Sequence, residues 1–324
     1  MDQTTPPSFE NGAESQIFQF TYEGEVRSLG EYLQDRYRYG RSDEWRESFF
    51  PDRVRLNGNE VNASTQVQQG DRVGYLHLRN EEPSPPSLEE PLYEDEWLLA
   101  LHKPDTIPVN PSGIYYFSSM ALLAKEYFNN PELTPLHRLD LETDGVVLFA
   151  KQRLAIKKFH RLFERKMIGK KYKALVHGHP PTDMQEIRGW IAPHPNSAIF
   201  TKLSLFESQQ GQEQESITRM GNISDRGDFS EIELEPVTGK TNQLRVHLAS
   251  IGHPIVGDKK YHPDEQVFLD WIAHRDFLRL EKQLVLPSQA LQCAQMRFEH
   301  PFSGKVLTIN AREEAWEQKI GSIA

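Results

Sequence analysis

The chain of 324 residues has a single cysteine, Cys293, and therefore cannot form an internal disulfide. It contains no apolar run close to the roughly 20 residues that span a bilayer. Its first residues, MDQTTPPSFENG, lack the basic start and apolar centre of a signal peptide. These absences predict a cytoplasmic protein with no membrane role. Cys293 lies in the apolar run LQCAQMRF, which favours a packed core position over a nucleophile.

Positive charge is also scarce, because 37 lysines and arginines stand against 47 acidic residues and the net charge is -10. This balance excludes a protein that binds nucleic acid over its whole surface. The exception is the basic block KQRLAIKKFHRLFERKMIGKKYK, residues 151–173, in which Glu164 is the one acidic residue. Such a block is either a solvated helix face or the footprint of phosphate binding.

An acidic, proline-rich segment divides the chain. The stretch EEPSPPSLEEPLYEDE, residues 81–96, contains no basic residue and predicts an extended, self-repelling linker. We therefore expect an amino-terminal domain at 15–80, a linker at 81–91 and a second domain at 92–315.

The segment before the linker predicts a short helix followed by a hairpin. Ser28 with Glu31 forms a capping box, and Asn57-Gly58 is a hairpin turn between alternating apolar and polar residues. A helix and a small hairpin with V-x-L-N-G and G-D-x-V resemble the alpha-L RNA-binding domain. Where that domain usually carries basic residues on its second helix, this chain has RSDEWRES. A small capping domain without RNA contacts therefore stays open as the alternative.

The segment after the linker interleaves strand-like and helical patterns. Strands are predicted at VVLFA, KKYKALVHG, FSEIELEP, QMRFEHP and KVLTINA. The helix in the basic block places Ile156, Phe159, Phe163 and Met167 on one face, so its lysines and arginines project from the others. The pattern predicts an α+β fold with a mixed, largely antiparallel sheet and flanking helices.

The stretch VTGKTNQLRVHLASIGHPIVGDKKYH contains two patterns that resemble known binding motifs but do not complete them. Its GKT at 239–241 looks like the end of a phosphate-binding loop, but Leu234 stands where that loop requires a glycine. Its histidines match no helical metal-binding pair, and no second cluster of cysteine or histidine supports a metal. What remains is a helix at about 241–251. Arg245 projects beside its apolar face, where a guanidinium would seek a buried carboxylate.

The stretch HRLDLETDG, residues 137–145, looks like the signature HRLD-x-x-T-S-G of the RluA family of pseudouridine synthases. In the family's order, EDEWLLALHKP resembles its opening strand, KKYKALVHG its tyrosine motif, TGKTNQLRVHLASIGHPIVGD its arginine motif and RFEHPFSG its closing segment. These matches cover nearly all of residues 91–310. The chain departs from the pattern, in ways that bear on substrate preference and rate, at Thr106, Asp144, Lys240, Asn242 and Gln292.

The resemblance implies the pseudouridine synthase fold and an enzyme that isomerises uridine in RNA. It implies that Asp140 is catalytic, that Tyr172 lies against the uracil face and can help to remove the C5 proton, and that Arg245 keeps Asp140 ionised and aimed. The reaction breaks the N1–C1′ bond and rejoins the ring through C5, so no cofactor, nucleotide or metal is expected. Whether Asp140 attacks the sugar or the ring, or assists a glycal intermediate, stays open.

The other two carboxylates of HRLDLETDG are interpreted as loop residues. Glu142 is expected to be solvated, and Asp144, just before Gly145, to accept bonds from local backbone amides in a turn. One catalytic carboxylate is enough for this isomerisation.

RNA is the expected partner, and the target base must be extruded from its stack. We therefore predict a monomer that binds large-subunit ribosomal RNA in preference to tRNA. The competing hypothesis is a non-catalytic RNA-binding or assembly factor, but such a factor has no need of Asp140, Tyr172 and Arg245 together. The residues predicted to contact RNA are Arg138, Lys157, Lys158, Arg161, Lys170 and Lys171.

Overall fold

A computed structural model of the chain describes residues 15–36, 50–211, 213–313 and 316. The acidic segment RSDEWRES at 41–48, on which the doubt about RNA binding by the amino-terminal domain rested, lies outside the described residues. The chain divides into two compact units. The first contains the chain up to Ser84 together with Pro111–Ser118, and the second contains Pro85–Asn110 and the chain from Ser119 onward.

The secondary structure is mixed, with short helices set between many strands. The helices are α1 (Leu29–Arg36), α2 (Phe50–Arg53), α3 (Met120–Tyr127), α4 (Arg153–Glu164), α5 (Gln243–Ser250), α6 (Gln266–His274) and α7 (Glu281–Leu284). The strands are β1 (Ser15–Thr21), β2 (Arg27–Ser28), β3 (Val54–Leu56), β4 (Asn59–Glu60), β5 (Gln66–Val67), β6 (Arg72–Leu78), β7 (Tyr93–Glu94), β8 (Leu98–Lys103), β9 (Thr134–Pro135), β10 (Asp144–Ala150), β11 (Gly169–His177), β12 (Glu186–Pro193), β13 (Leu203–Phe206), β14 (Glu215–Arg226), β15 (Phe229–Pro236), β16 (Leu291–Glu299) and β17 (Val306–Asn310). None of the described helices is long and apolar enough to cross a membrane.

The first unit contains a four-stranded sheet in the order β1-β6-β3-β4, and α1 buries Leu29 and Leu33 in its core. The predicted hairpin turn is confirmed. Asn57 and Gly58 join β3 to β4 with φ values of 54° and 87°, the left-handed pair that a tight hairpin requires. At the start of α1, the backbone N–H of Glu31 donates to Oγ of Ser28 over 3.3 Å, which is one half of the predicted capping box.

Glu82, at the start of the predicted linker, has hydrogen-bond partners in the fold. Glu82 is buried and accepts hydrogen bonds from the backbone N–H groups of Tyr116, Phe117 and Ser118 and from the His77 ring. Burial opposes ionisation of Glu82, but these hydrogen bonds lower its pKa from 4.5 to about 2. The expected self-repulsion is therefore wrong at Glu82, whose carboxylate binds the backbone of the loop 116–118.

The second unit is built on an eleven-stranded sheet with the order β13-β12-β14-β15-β11-β16-β10-β8-β7, to which β9 and β17 add at β10 and β16. Among the described strands, β10 and β16 form the single parallel pair. The predicted mixed, largely antiparallel sheet is confirmed. All seven residues of β10 are buried, as expected of a strand covered on both faces.

Two details of the core bear on the functional site. Cys293 is fully buried in β16, as predicted. The predicted helical face was wrong at its end, because α4 stops at Glu164 and Met167 lies beyond it with 51% of its surface exposed. Lys166 adopts a positive φ of 55°, a conformation that ends the helix before Met167 can join its apolar face.

Candidate active site

A cavity of about 570 Å³ in the second unit is lined by Asp140, Tyr172 and Arg245. Asp140 comes from the loop before β10, Tyr172 from β11 and Arg245 from α5. These elements are far apart in the sequence, and the sheet and the helix bring them to one space. The three residues named as catalytic from the sequence therefore share one cavity.

Arg245 joins two carboxylates. Its Nε and Nη2 donate to the two oxygens of Asp258 over 2.7 and 2.9 Å, and its Nη1 donates to Oδ2 of Asp140 over 2.9 Å. The Asp258 side chain is fully buried, whereas that of Asp140 is 26% exposed. The Nε and Nη2 atoms are thus fixed by two hydrogen bonds to the buried Asp258 carboxylate, and Nη1 is held toward Asp140.

Burial disfavours charge on both members of the Arg245–Asp258 pair, but their mutual attraction outweighs it. The pKa of Asp258 is lowered and that of Arg245 is raised well above its usual value, so the pair stays ionised. Oδ1 of Asp258 also accepts the backbone N–H groups of Lys260 and Tyr261, each over 3.0 Å. Sequence reasoning missed Asp258, although it lies inside the quoted arginine motif in the sequence VGDKKY.

Glu142 is not the solvated loop residue that was expected. It is half-buried, and its Oε1 accepts from Nζ of Lys259 over 2.7 Å. Lys259 itself is buried, with 4% of its side chain exposed, and it also donates to the carbonyl oxygen of Pro287. A buried ammonium requires a counter-charge, and Glu142 supplies it two residues after Asp140.

Asp144 was also wrongly placed in a turn. It is the first residue of β10, it is buried, and its Oδ2 accepts from Nε2 of Gln292 over 3.0 Å. Burial raises its pKa to about 7. The parallel pairing of β10 with β16 sets Asp144 opposite Gln292, so two of the departures from the family pattern are hydrogen-bonded partners.

The loop that carries Asp140 is held from beneath by a buried lysine. Nζ of Lys103 donates to the carbonyl oxygens of Pro104 and Leu141, each over 2.7 Å, and the side chain is fully buried. Burial lowers the pKa of Lys103 to about 7, although the nearby Asp144 carboxyl acts in the opposite direction. Lys103 therefore fixes the backbone of the residue that directly follows Asp140.

Tyr172 lies where β11 passes a bulge in β16, at which the register shifts between Lys171 and Lys173. Its side chain is largely buried but lines the cavity, and the buried thiol of Cys293 is close enough to affect its pKa. Burial, followed by the effect of Cys293, raises the pKa of Tyr172 well above 10. The phenol is therefore neutral at neutral pH.

Two of the six residues predicted to bind RNA line the cavity with Asp140. Arg138 is exposed there, and Lys170 is half-buried with its Nζ 5.0 Å from the centre of the Phe163 ring. Lys171 follows Lys170 but is exposed, with its Nζ 3.9 Å from a carboxylate oxygen of Glu235. Adjacent lysines of β11 thus have different surroundings, because successive side chains of a strand point to opposite faces.

The remaining basic residues lie on α4. Lys157 and Arg161, together with Arg153, line an open groove of about 530 Å³ along one side of the helix. Lys158 lies elsewhere, with its Nζ 4.0 Å from the centre of the Phe302 ring. The predicted patch is therefore divided between two sides of α4.

Among the described residues, no group of three or more histidine, cysteine, aspartate or glutamate side chains is arranged to hold a metal ion.

Solved structures define the fold class. The human protein RNA Pseudouridylate Synthase Domain Containing 1 matches with a TM-score of 0.56 and 23% identity, over 72% of this chain and 86% of that one. Human RNA Pseudouridylate Synthase Domain Containing 4 matches with a TM-score of 0.55 and 23% identity, over 71% of this chain and 90% of that one. The second unit therefore has the pseudouridine synthase fold.

Sequence relatives define the family. Residues 97–250 match the family model described as RNA pseudouridylate synthase. The chain is 31% identical to the ribosomal large subunit pseudouridine synthase C of Pasteurella multocida over 82% of this chain and 81% of that one. It is 30% identical to the dual-specificity RNA pseudouridine synthase RluA of Haemophilus influenzae over 69% of this chain and 92% of that one. The chain belongs to the RluA family of RNA pseudouridine synthases, and it is an isomerase that converts uridine in RNA to pseudouridine.

Proposed function

We propose that this enzyme modifies large-subunit ribosomal RNA and that Asp140 is its catalytic carboxylate. The observation that carries the assignment of Asp140 is the shared guanidinium of Arg245, which is anchored on Asp258 and holds the one partly exposed carboxylate of this network. The named function of the Pasteurella relative supports the choice of RNA. The dual-specificity relative keeps tRNA as a second candidate substrate.

Asp140 acts on the ribose or on the ring of the target uridine. Arg245 orients the Asp140 carboxylate but does not neutralise it fully, because the buried Asp258 carboxylate balances most of the guanidinium charge. The carboxylate then bonds to the sugar or the ring, or assists formation of a glycal, while the N1–C1′ bond breaks. The freed uracil turns and bonds to C1′ through C5.

Tyr172 stacks against the face of the uracil. Its neutral, buried phenol is a poor acceptor for the C5 proton, because burial raises its pKa. Its ring is nevertheless held at the cavity wall by β11. We therefore assign Tyr172 to base positioning in preference to proton removal.

The groove on α4 binds the RNA backbone outside the cavity. Arg153, Lys157 and Arg161 recur every four residues, so their side chains project from one side of the helix. A row of cations on an otherwise acidic protein is the expected form of a phosphate-binding surface. Arg138 and Lys158 are retained as further RNA contacts, and Lys171 as a contact at the outer face of β11.

The reaction is tested by release of tritium from RNA labelled at C5 of uridine, because joining the ring through C5 expels that hydrogen. Unmodified large-subunit ribosomal RNA and tRNA transcripts are compared, with wild type beside Asp140→Asn. We expect release from the ribosomal transcript by the wild type and none by the variant. Release from tRNA alone would contradict the proposed substrate, and release by Asp140→Asn would contradict the catalytic assignment.

The phosphate surface is tested by Lys157→Glu and Arg161→Glu in one variant. We expect RNA binding to weaken across all sequences and the slope of log affinity against log salt to shrink by about 2. Lys305→Glu, which changes an exposed lysine elsewhere, is the control and should leave the slope unchanged. A salt titration that superimposes the double variant on wild type would show that the α4 groove is only a solvated face.

The domain limits 15–80, 81–91 and 92–315, the monomeric state and the cytoplasmic location stay proposals based on the sequence. Sedimentation at several protein concentrations, with and without RNA, tests the monomer directly. A mass that rises with protein concentration in the absence of RNA would contradict it.

A further inference from the structure

Lys170 shares the active-site cavity with Tyr172. The two residues are two positions apart on β11, and both line the 570 Å³ space that contains Asp140. Phe163, at the end of α4, packs its ring 5.0 Å from the Lys170 amine. The side chain is half-buried, unlike the exposed Lys166 that lines the same cavity. Lys170 was predicted as one of several RNA-backbone contacts, but its position is inside the site.

The groups around the Lys170 amine are neutral at neutral pH. Burial lowers the pKa of His137 to about 3, and burial raises the pKa of Cys293 to about 11 and that of Tyr172 well above 10. Within the described part of the chain, no carboxylate or hydrogen-bond acceptor pairs with Nζ of Lys170. Burial accordingly lowers the pKa of Lys170 from 10.5. Lys170 lines the cavity, so its amine is available to a base bound there.

The reaction creates a negative charge on the uracil that a lysine ammonium can stabilise. When the N1–C1′ bond breaks, its electron pair stays with the uracil, and the negative charge spreads over the ring and its carbonyl oxygens O2 and O4. Arg245 already donates to Asp258, to Asp140 and, over 3.4 Å, to Oδ1 of Asn242. Lys240 lines the cavity too, but its amine donates to Gln214 over 3.1 Å.

We propose that Lys170 donates a hydrogen bond to a carbonyl oxygen of the target uracil and stabilises the negative charge of the ring while it is detached from the ribose. The inference rests on the proposed role of Asp140. Asp140 bonds to C1′ or takes the C2′ proton as the N1–C1′ bond breaks, and this change is reversed when C5 bonds to C1′. The freed Asp140 carboxylate or a water molecule then takes the proton from C5, and N1 regains a proton from solvent. Lys170 keeps its own proton throughout and acts as a preorganised donor for developing charge.

The test compares Lys170→Met with Lys170→Arg. Single-turnover tritium release from the large-subunit ribosomal transcript gives the rate at saturating enzyme, and filter binding gives the affinity for the same RNA. We expect Lys170→Met to lose about 10²- to 10³-fold in rate while its affinity changes by less than about threefold. Lys305→Met, an exposed lysine outside the site, should match wild type in both measurements.

The pH dependence of the rate distinguishes a role for the charge of Lys170 from a role for its size and packing. The titratable groups that face Lys170 are His137 from the loop before β10, Cys293 from β16 and Tyr172 from its own strand, with Glu164 and Lys166 also lining the cavity. Because the pKa of Lys170 is lowered, the wild-type rate should fall on the alkaline side below pH 10.5 as the ammonium loses its proton. Lys170→Arg should keep measurable activity and move this limb to higher pH, because a guanidinium stays charged.

Three results would overturn the inference. In the first, Lys170→Met binds RNA weakly but keeps its rate at saturation, which makes Lys170 a backbone contact. In the second, Lys170→Met and Lys170→Arg melt like wild type and are equally slow, which removes the role of charge. In the third, the alkaline limb of Lys170→Arg coincides with that of wild type, a comparison that remains valid if Lys170→Met fails to fold. Failure of the proposed function is distinct, because the wild type itself would then release no tritium.

Discussion

The substitution Asp258→Asn tests how the active site is held together. Asp258 is fully buried and forms two charge-assisted bonds to Arg245, so the substitution leaves a buried guanidinium with half of its counter-charge. Removing one member of a buried ion pair costs about 3–5 kcal/mol. We expect a loss of about 3 kcal/mol, because Asp140 still lies 2.9 Å from Nη1 and the asparagine oxygen can still accept one bond.

The same substitution should slow catalysis. Without Asp258, the guanidinium is drawn toward Asp140, and the fixed geometry of this proposed catalytic carboxylate is lost. A misplacement of this kind costs about 10²-fold in rate, or about 2.7 kcal/mol in the barrier.

Urea unfolding and single-turnover tritium release measure the two effects. Asp228→Asn, at an exposed aspartate outside the site, makes the same chemical change and should alter neither quantity. The reasoning would be refuted if Asp258→Asn unfolded within about 1 kcal/mol of wild type and reacted within about threefold of its rate. Arg245 would then hold Asp140 without help from Asp258.

Two further predictions concern stability. Glu82→Gln should lower the free energy of unfolding by on the order of 3 kcal/mol at neutral pH, because folding lowers the pKa of this carboxylate from 4.5 to about 2. This stabilisation is fully present above pH 4.5 and is lost as the pH falls through about 2. Over that range the free energy of unfolding measured with urea should fall more steeply with decreasing pH for wild type than for the variant, because other carboxylates with a lowered pKa, such as Asp258 and Glu265, titrate in both proteins. Parallel slopes would contradict the prediction. Gly145→Ala should cost more than about 3 kcal/mol, because φ is 113° and the new Cβ would lie 2.7 Å from the backbone nitrogen of Cys293 and clash with its carbonyl oxygen. Thermal melting checks it, and an unchanged melting temperature would refute it.

The amino-acid sequence was sufficient for the features that depend on local order. Alternation of apolar and polar residues predicted the strands, and Asn57-Gly58 predicted its hairpin, because side-chain period and backbone φ preferences act over a few residues. The ordered motifs also identified the family and pointed to Asp140, Tyr172 and Arg245. Each motif is a continuous stretch of residues, so it can be recognised from the sequence without the fold.

Only the tertiary structure decided which distant groups meet. The pairing of Asp144 with Gln292 follows from one parallel strand pair, and the partnership of Glu142 with Lys259 joins residues 117 positions apart. Neither contact has a local signal, so both carboxylates were assigned to solvent or to a turn. The position of Lys170 inside the cavity depends in the same way on how the sheet and α4 enclose it. Long-range packing, which removes water and sets charges against one another, is the physical reason that these roles could not be seen in the sequence.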